Sequence, residues 1–159
     1  MSKLLKNRKS AGFTLMEILI ALGIFVMLTG IVIFAINPAH QFAKARDGQR
    51  WSDVNAILNA VHQRMVDNKG SFAEGITCDA LPATAKYITS TDGADNIDIC
   101  ACLVSTYLAA MSYDPSATGA GYTNCTTYTT GYTILKDATT GRITVAAPSA
   151  EKETISVTR

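Results

Sequence analysis

Gly12-Phe13-Thr14-Leu15-Met16-Glu17-Ile18-Leu19-Ile20-Ala21-Leu22 opens an apolar run that continues to Ile36. Lys3, Lys6, Arg8 and Lys9 precede it, and Glu17 is the only charged residue inside it. An ordinary export signal has an apolar core of about 7–15 residues that ends at a small-residue cleavage site. Here the small residue stands before the run, so cleavage after Gly12 discards residues 1–12 and keeps the apolar segment. As a helix, residues 13–36 extend about 36 Å, enough to cross a ~30 Å hydrocarbon core with some tilt. The basic leader orients that helix with its N-terminus in the cytoplasm.

Glu17 makes the segment unusual. An acid at the centre of a membrane helix costs roughly 2.5–3.5 kcal/mol on an insertion scale. Glu17 stands only about 6 Å along the axis from Phe13, which lowers the cost without removing it. A plain single-pass anchor has no need of the charge. An acid retained in such a run implies a partner, and the nearest candidate is the α-amine that cleavage creates at Phe13.

Gly12-Phe13-Thr14-Leu15-Met16-Glu17 behind a short basic leader resembles the processing motif of type IV pilins and type II secretion pseudopilins. The resemblance implies that a membrane peptidase/methyltransferase cuts between Gly12 and Phe13 and methylates the new Phe13 amine. It also implies that Glu17 serves filament assembly. It covers strictly only residues 9–36. The implied partners are the peptidase, an inner-membrane assembly machinery, membrane lipid before assembly and further copies of the chain in a helical filament. The implied location is the inner, cytoplasmic membrane with the N-terminus inside, and then an extracellular pilus.

The 159 residues fit a 1–12 leader, a 13–36 membrane or filament helix, a 37–70 amphipathic continuation and a 71–159 head. Four of the 14 basic residues lie in the leader, so the remaining chain is acidic, with 13 carboxylates against ten cations. That balance argues against a dedicated nucleic-acid surface. Beyond the helices the chain is rich in Thr, Ala, Tyr and Gly, which suits a sheet. The expected fold is α+β, a long N-terminal helix packed on a small C-terminal antiparallel sheet.

Asn37-Pro38 predicts a break near Phe34–Asn37. Gly23 and Gly30 lie seven apart on one face, where another helix can approach closely. From Ala39 to about Asn68, the residues Trp51, Val54, Leu58, Val61 and Met65 form one apolar stripe, with Arg46, Arg50, Asp53 and Arg64 on other faces. Asn68-Lys69-Gly70 is a stop signal. Residues 71 to about 126 read as irregular except for a short helix over Cys100–Met111, with Leu103, Tyr107, Leu108 and Met111 inward. Tyr132–Leu135 and Arg142–Val145 alternate around a turn at Asp137–Gly141, and Thr154–Thr158 reads as a last strand.

Cys78, Cys100, Cys102 and Cys125 all follow the apolar run, an even number that suggests two disulfides in an oxidising compartment. Cys100 and Cys102 point to roughly opposite sides of a helix or strand. Each is therefore expected to bond elsewhere, one to Cys78 and one to Cys125. No zinc spacing is present. Asp92, Asp95, Asn96 and Asp98 make an oxygen-rich loop. Calcium favours closely spaced carboxylates, and some pseudopilins hold it in the head, so these four are calcium candidates against a solvated loop as the simpler account. No other cofactor is expected. Asn124-Cys125-Thr126 fits the N-glycosylation acceptor pattern.

The chain has no GxSxG, HExxH or P-loop and no acid pair marked as catalytic by its spacing, so no catalytic residue is expected. The reading is a structural subunit of a type IV pilus-like surface filament. The alternatives are a pseudopilin of a secretion or DNA-uptake pseudopilus and a monomeric membrane-anchored binding module.

Overall fold

Helix α1 (Leu15–Ile36) starts where Thr14, in extended backbone, turns its side chain onto the chain ahead: Thr14 Oγ1 accepts from the Glu17 amide at 3.2 Å. A threonine at the N-cap with a glutamate three residues on is half of a capping box, which ends an unwound segment and starts a helix. α1 is apolar around its whole circumference and runs uninterrupted past Gly23 and Gly30, with no residue buried. A helix apolar on every side belongs in a membrane or among other helices. Thr29, its only hydroxyl side chain, donates to the Phe25 carbonyl at 2.8 Å and so needs no partner outside the helix.

The computed structural model describes residues 12–73 and 78–159, so the leader cations Lys3, Lys6, Arg8 and Lys9 lie outside the described residues. The chain divides into two units, Met1–Gln41 and Phe42–Arg159. The break between α1 and α2 (Pro38–Asp67) falls at Asn37, whose φ of 50° puts it in the left-handed region. Asparagine tolerates that region, and proline suits the first position of a helix because its missing N–H would be unpaired there anyway. Asn37 Oδ1 accepts from the His40 amide, which caps the new helix.

In the second unit α2 buries Ala43, Val54, Ile57, Leu58, Ala60 and Val61. Trp51 and Met65, also on the sequence stripe, are half-buried at its margins. Lys69 and Gly70 at positive φ end the helix, and the Gly70 amide donates to the Met65 carbonyl.

Six strands follow: β1 (Lys86–Thr89), β2 (Asn96–Ile97), β3 (Gly121–Asn124), β4 (Thr127–Lys136), β5 (Ile143–Ala147) and β6 (Ile155–Thr158). They pair in the order β2-β1-β4-β5-β6, with β3 also on β4. All pairs are antiparallel except β1–β2. Ile88, Tyr132, Ile134, Ile143, Val145, Ala147 and Ile155 supply the sheet's share of the core that α2 covers. Each fully buried Ile or Leu contributes about 1.5–3 kcal/mol, so this face holds the second unit together.

Two sequence expectations fail here. The helix at Cys100 is a single turn, α3 (Cys100–Leu103), not Cys100–Met111. Ser105 at φ 77° leaves the helical region, and Val104 forms a bridge with Leu108 instead. Leu103 and Met111 are still buried, while Tyr107 and Leu108 are half-buried. The stretch read as irregular contains β1, β2 and β3, each too short to show a period.

Candidate processing and assembly site

The Gly12–Phe13 peptide precedes the N-cap and lies in unwound backbone. Phe13 is 79 % exposed, and nothing comes within 4 Å of a Cβ built on Gly12. A peptidase needs such unwound, uncrowded backbone at the bond it cuts. Four residues on, Glu17 occupies the first turn of α1 and is exposed. Among the described residues its carboxylate has no hydrogen-bond or ion-pair partner; only its amide is engaged, by Thr14. The positive end of the helix dipole favours an acid there by about 0.3–1 kcal/mol. That offsets only part of the penalty for an acid in an apolar medium.

The head handles its charges in the opposite way. Arg50 is fully buried, although the stripe of α2 placed it on another face. Its guanidinium forks onto Asp114, with Nε to Oδ2 at 2.7 Å and Nη2 to Oδ1 at 2.9 Å. Nη1 donates to Asp47 Oδ1 at 2.7 Å and to Glu151 at 3.3 Å, and Nη2 also donates to Ser116 Oγ. Asp47 accepts from the amides of Glu151 and Lys152, while Asp114 accepts from those of Ser116 and Ala117. Arg46 forms a bidentate pair with Glu151, and Trp51 Nε1 donates to Glu153. One turn of α2 thus ties down both the 114–117 turn and the connection between β5 and β6.

This geometry moves the titrations. Burial pushes the Asp47 carboxyl up, but the Glu151 amide, the Arg50 guanidinium and the Lys152 amide outweigh it and hold it below the usual carboxylate range. Asp114 follows the same pattern, with Arg50 as the main opposing partner. Glu151 is held down at about 2, chiefly by its hydrogen bonds from Arg46. Asp53 goes the other way: burial raises it, against the hydrogen bond from Tyr132.

Gly131 completes the arrangement. β4 carries two extra residues opposite β1, since Tyr87 pairs with Thr133 but Thr89 with Thr129. Gly131, at φ 76°, lies in that bulge, and a Cβ there would stand 3.0 Å from the Asp114 Cβ and 3.1 Å from that of Ala117. Next to it, Thr130 accepts the Asp114 amide with its carbonyl and donates its hydroxyl to Ile88. The bulge lets the 114–117 turn come close enough to deliver Asp114 beneath Arg50.

Disulfides join Cys78 to Cys102 and Cys100 to Cys125. They pin α3 on one side to the segment that leads to β1 and on the other to the β3–β4 turn. In the oxygen-rich loop, Asp92 accepts from the Asp98 amide. Asp98 Oδ1 accepts from the Cys100 amide and the Tyr128 hydroxyl, and Asn96 pairs with Tyr87 across β1–β2. Asp95 is exposed, and its carbonyl accepts the Tyr87 amide. Among the described residues no three His, Cys, Asp or Glu side chains converge as a metal site.

Three features escaped the sequence reading. The Thr14-x-x-Glu17 capping signal was visible in the residues themselves, and so was the i,i+3 spacing of Asp47 and Arg50. The pairing of Arg50 with Asp114 and Glu151, 64 and 101 residues away, had no local signal.

No curated protein and no solved structure matches the chain. Residues 7–36 match the family model of the prokaryotic N-terminal methylation motif. The match spans the unwound Gly12–Phe13 junction, the Thr14 cap, Glu17 and the whole of α1. That motif opens an apolar helix and is followed by a disulfide-bonded α+β head, and over residues 7–36 it supports a type IV pilin- or pseudopilin-type prepilin.

Proposed function

We propose that the chain is a structural subunit of a type IV pilus-like filament. It is cut between Gly12 and Phe13, methylated at the Phe13 amine and polymerised through α1. The precursor sits in the cytoplasmic membrane with its leader inside, and assembly moves the helix from lipid into a bundle of like helices. Lipid is as apolar as the helix, so leaving it brings no hydrophobic gain; packing and polar pairing must set the register. Glu17 supplies the polar half, and the Phe13 amine of a neighbouring subunit supplies its cation. N-methylation leaves that amine charged. The observation that carries this reading is a single carboxylate that, among the described residues, has no partner, on an otherwise apolar helix with no buried residue.

Protein purified from membranes and from sheared filaments should lack residues 1–12 and begin with a methylated Phe13. Cysteines placed beside Phe13 and beside Glu17, with both of those residues kept, should cross-link adjacent subunits. A product that keeps Met1, or one that begins near Asn37, contradicts the processing. Cross-links that never exceed one chain would favour an anchored monomer. Filaments outside the cell, as against assemblies confined to the periplasm, separate a pilus from a pseudopilus.

A further inference from the structure

Asn124 ends β3 and Thr127 opens β4; the two pair across the hairpin, so Cys125 and Thr126 form its turn. Asn124 Oδ1 accepts two hydrogen bonds from the turn, from the Thr126 amide at 2.9 Å and the Thr126 hydroxyl at 2.7 Å. The carboxamide is therefore held by its oxygen alone. Among the described residues its Nδ2 has no hydrogen-bond partner, and Thr123, Asn124, Thr126 and Thr127 are all exposed. A bulky group on Nδ2 would project into solvent without displacing any packed side chain. The turn is anchored from below by the bond between Cys125 and Cys100. Asn124 is also the only asparagine in the chain with Ser or Thr two positions on.

We propose that Asn124 is an N-glycosylation acceptor. The proposal rests on the export of the head set out above, because the donor would be a polyprenyl-diphosphate-linked oligosaccharide at the outer face of the membrane. In the step, Asn124 Nδ2 bonds to C1 of the first sugar and the C1–O bond to the diphosphate breaks. The polyprenyl diphosphate leaves with the electron pair, and one Nδ2 proton passes to a base on the transferring enzyme. The two hydrogen bonds at Oδ1 draw electron density toward the oxygen and make the Nδ2 protons easier to lose. The side-chain hydroxyl at position 126 is required by the acceptor pattern, and here it is in contact with the amide it would serve.

The test is peptide mass analysis of the protein purified from the cells that encode it, comparing the peptide that contains Asn124 with the N-terminal peptide. The expected result is a glycan increment on the Asn124 peptide, lost in Asn124→Gln and Thr126→Val and kept in Thr126→Ser. An Asn124 peptide of unmodified mass in the wild-type protein overturns the proposal, whatever the variants do. So does an increment that survives Asn124→Gln. The N-terminal peptide reports cleavage and methylation separately, so a bare Asn124 beside a methylated Phe13 sinks the glycan and leaves the filament subunit standing.

Discussion

Glu17 and Arg50 are both charges set among apolar residues, and the chain treats them differently. Arg50 is sealed in the head with five hydrogen bonds to Asp47, Asp114, Ser116 and Glu151. Glu17 stands on a helix that nothing covers, and among the described residues its carboxylate has no partner. A buried charge with every donor used belongs to the fold that buries it. A lone charge on an apolar helix still needs a partner, and under the proposed function an assembled neighbour supplies it. The same physical rule, that a desolvated charge must be paired, assigns Arg50 to stability and, on that proposal, Glu17 to polymerisation.

The comparison breaks if Arg50 proves dispensable. Arg50→Met leaves Asp47 and Asp114 buried without their cation, and removing one partner of a buried pair costs about 3–5 kcal/mol. Chemical unfolding followed by Trp51, the only tryptophan, should show that loss. An unchanged midpoint would mean that the cluster is incidental. Removal of the bond between Cys78 and Cys102, which are separated by 24 residues, should lower stability by about 3 kcal/mol through the freed unfolded chain. Gly131→Ala should cost at least the ~1–2 kcal/mol that an L-residue pays in the left-handed region. The crowding against Asp114 adds to that cost.

Acid sharpens the same contrast by a smaller amount. Asp47 and Asp114 have folded pKa values below their unfolded ones, so their stabilisation is complete above the ordinary Asp range of about 4. It is lost as pH falls through the folded values. Asp53, raised by burial, opposes this weakly because its protonation relieves a penalty. Unfolding free energy should therefore fall as pH drops below the ordinary Asp range of about 4, and the fall should be shallower in Asp114→Asn. An equal slope in the two proteins would remove Asp114 from the account.

The sequence reading followed physical range. α1, the second helix and the terminal strands carry their signals within a few residues: an unbroken apolar run, a stripe of three- and four-residue steps, and alternation around Asp137–Gly141. Nothing so local announces β1, β2 or β3, because four residues or fewer hold barely one period. Tertiary bonds also overruled propensity at Cys100–Met111, where disulfides and the left-handed Ser105 stop the helix after one turn. At the candidate processing site the motif residues and the lone acid were all legible. The buried Arg50 network was not, because its acids arrive from distant turns and depend on the bulge at Gly131.

The most direct test of the account is Glu17→Ala, with sheared surface filament weighed against mature subunit left in the membrane of the same cells. Alanine removes the only charge in α1 and so eases the helix into lipid. Insertion and cleavage after Gly12 should therefore hold while filament yield collapses and processed subunit accumulates in the membrane. Filaments at the wild-type level would show that Glu17 has no partner in the assembly and would contradict the account.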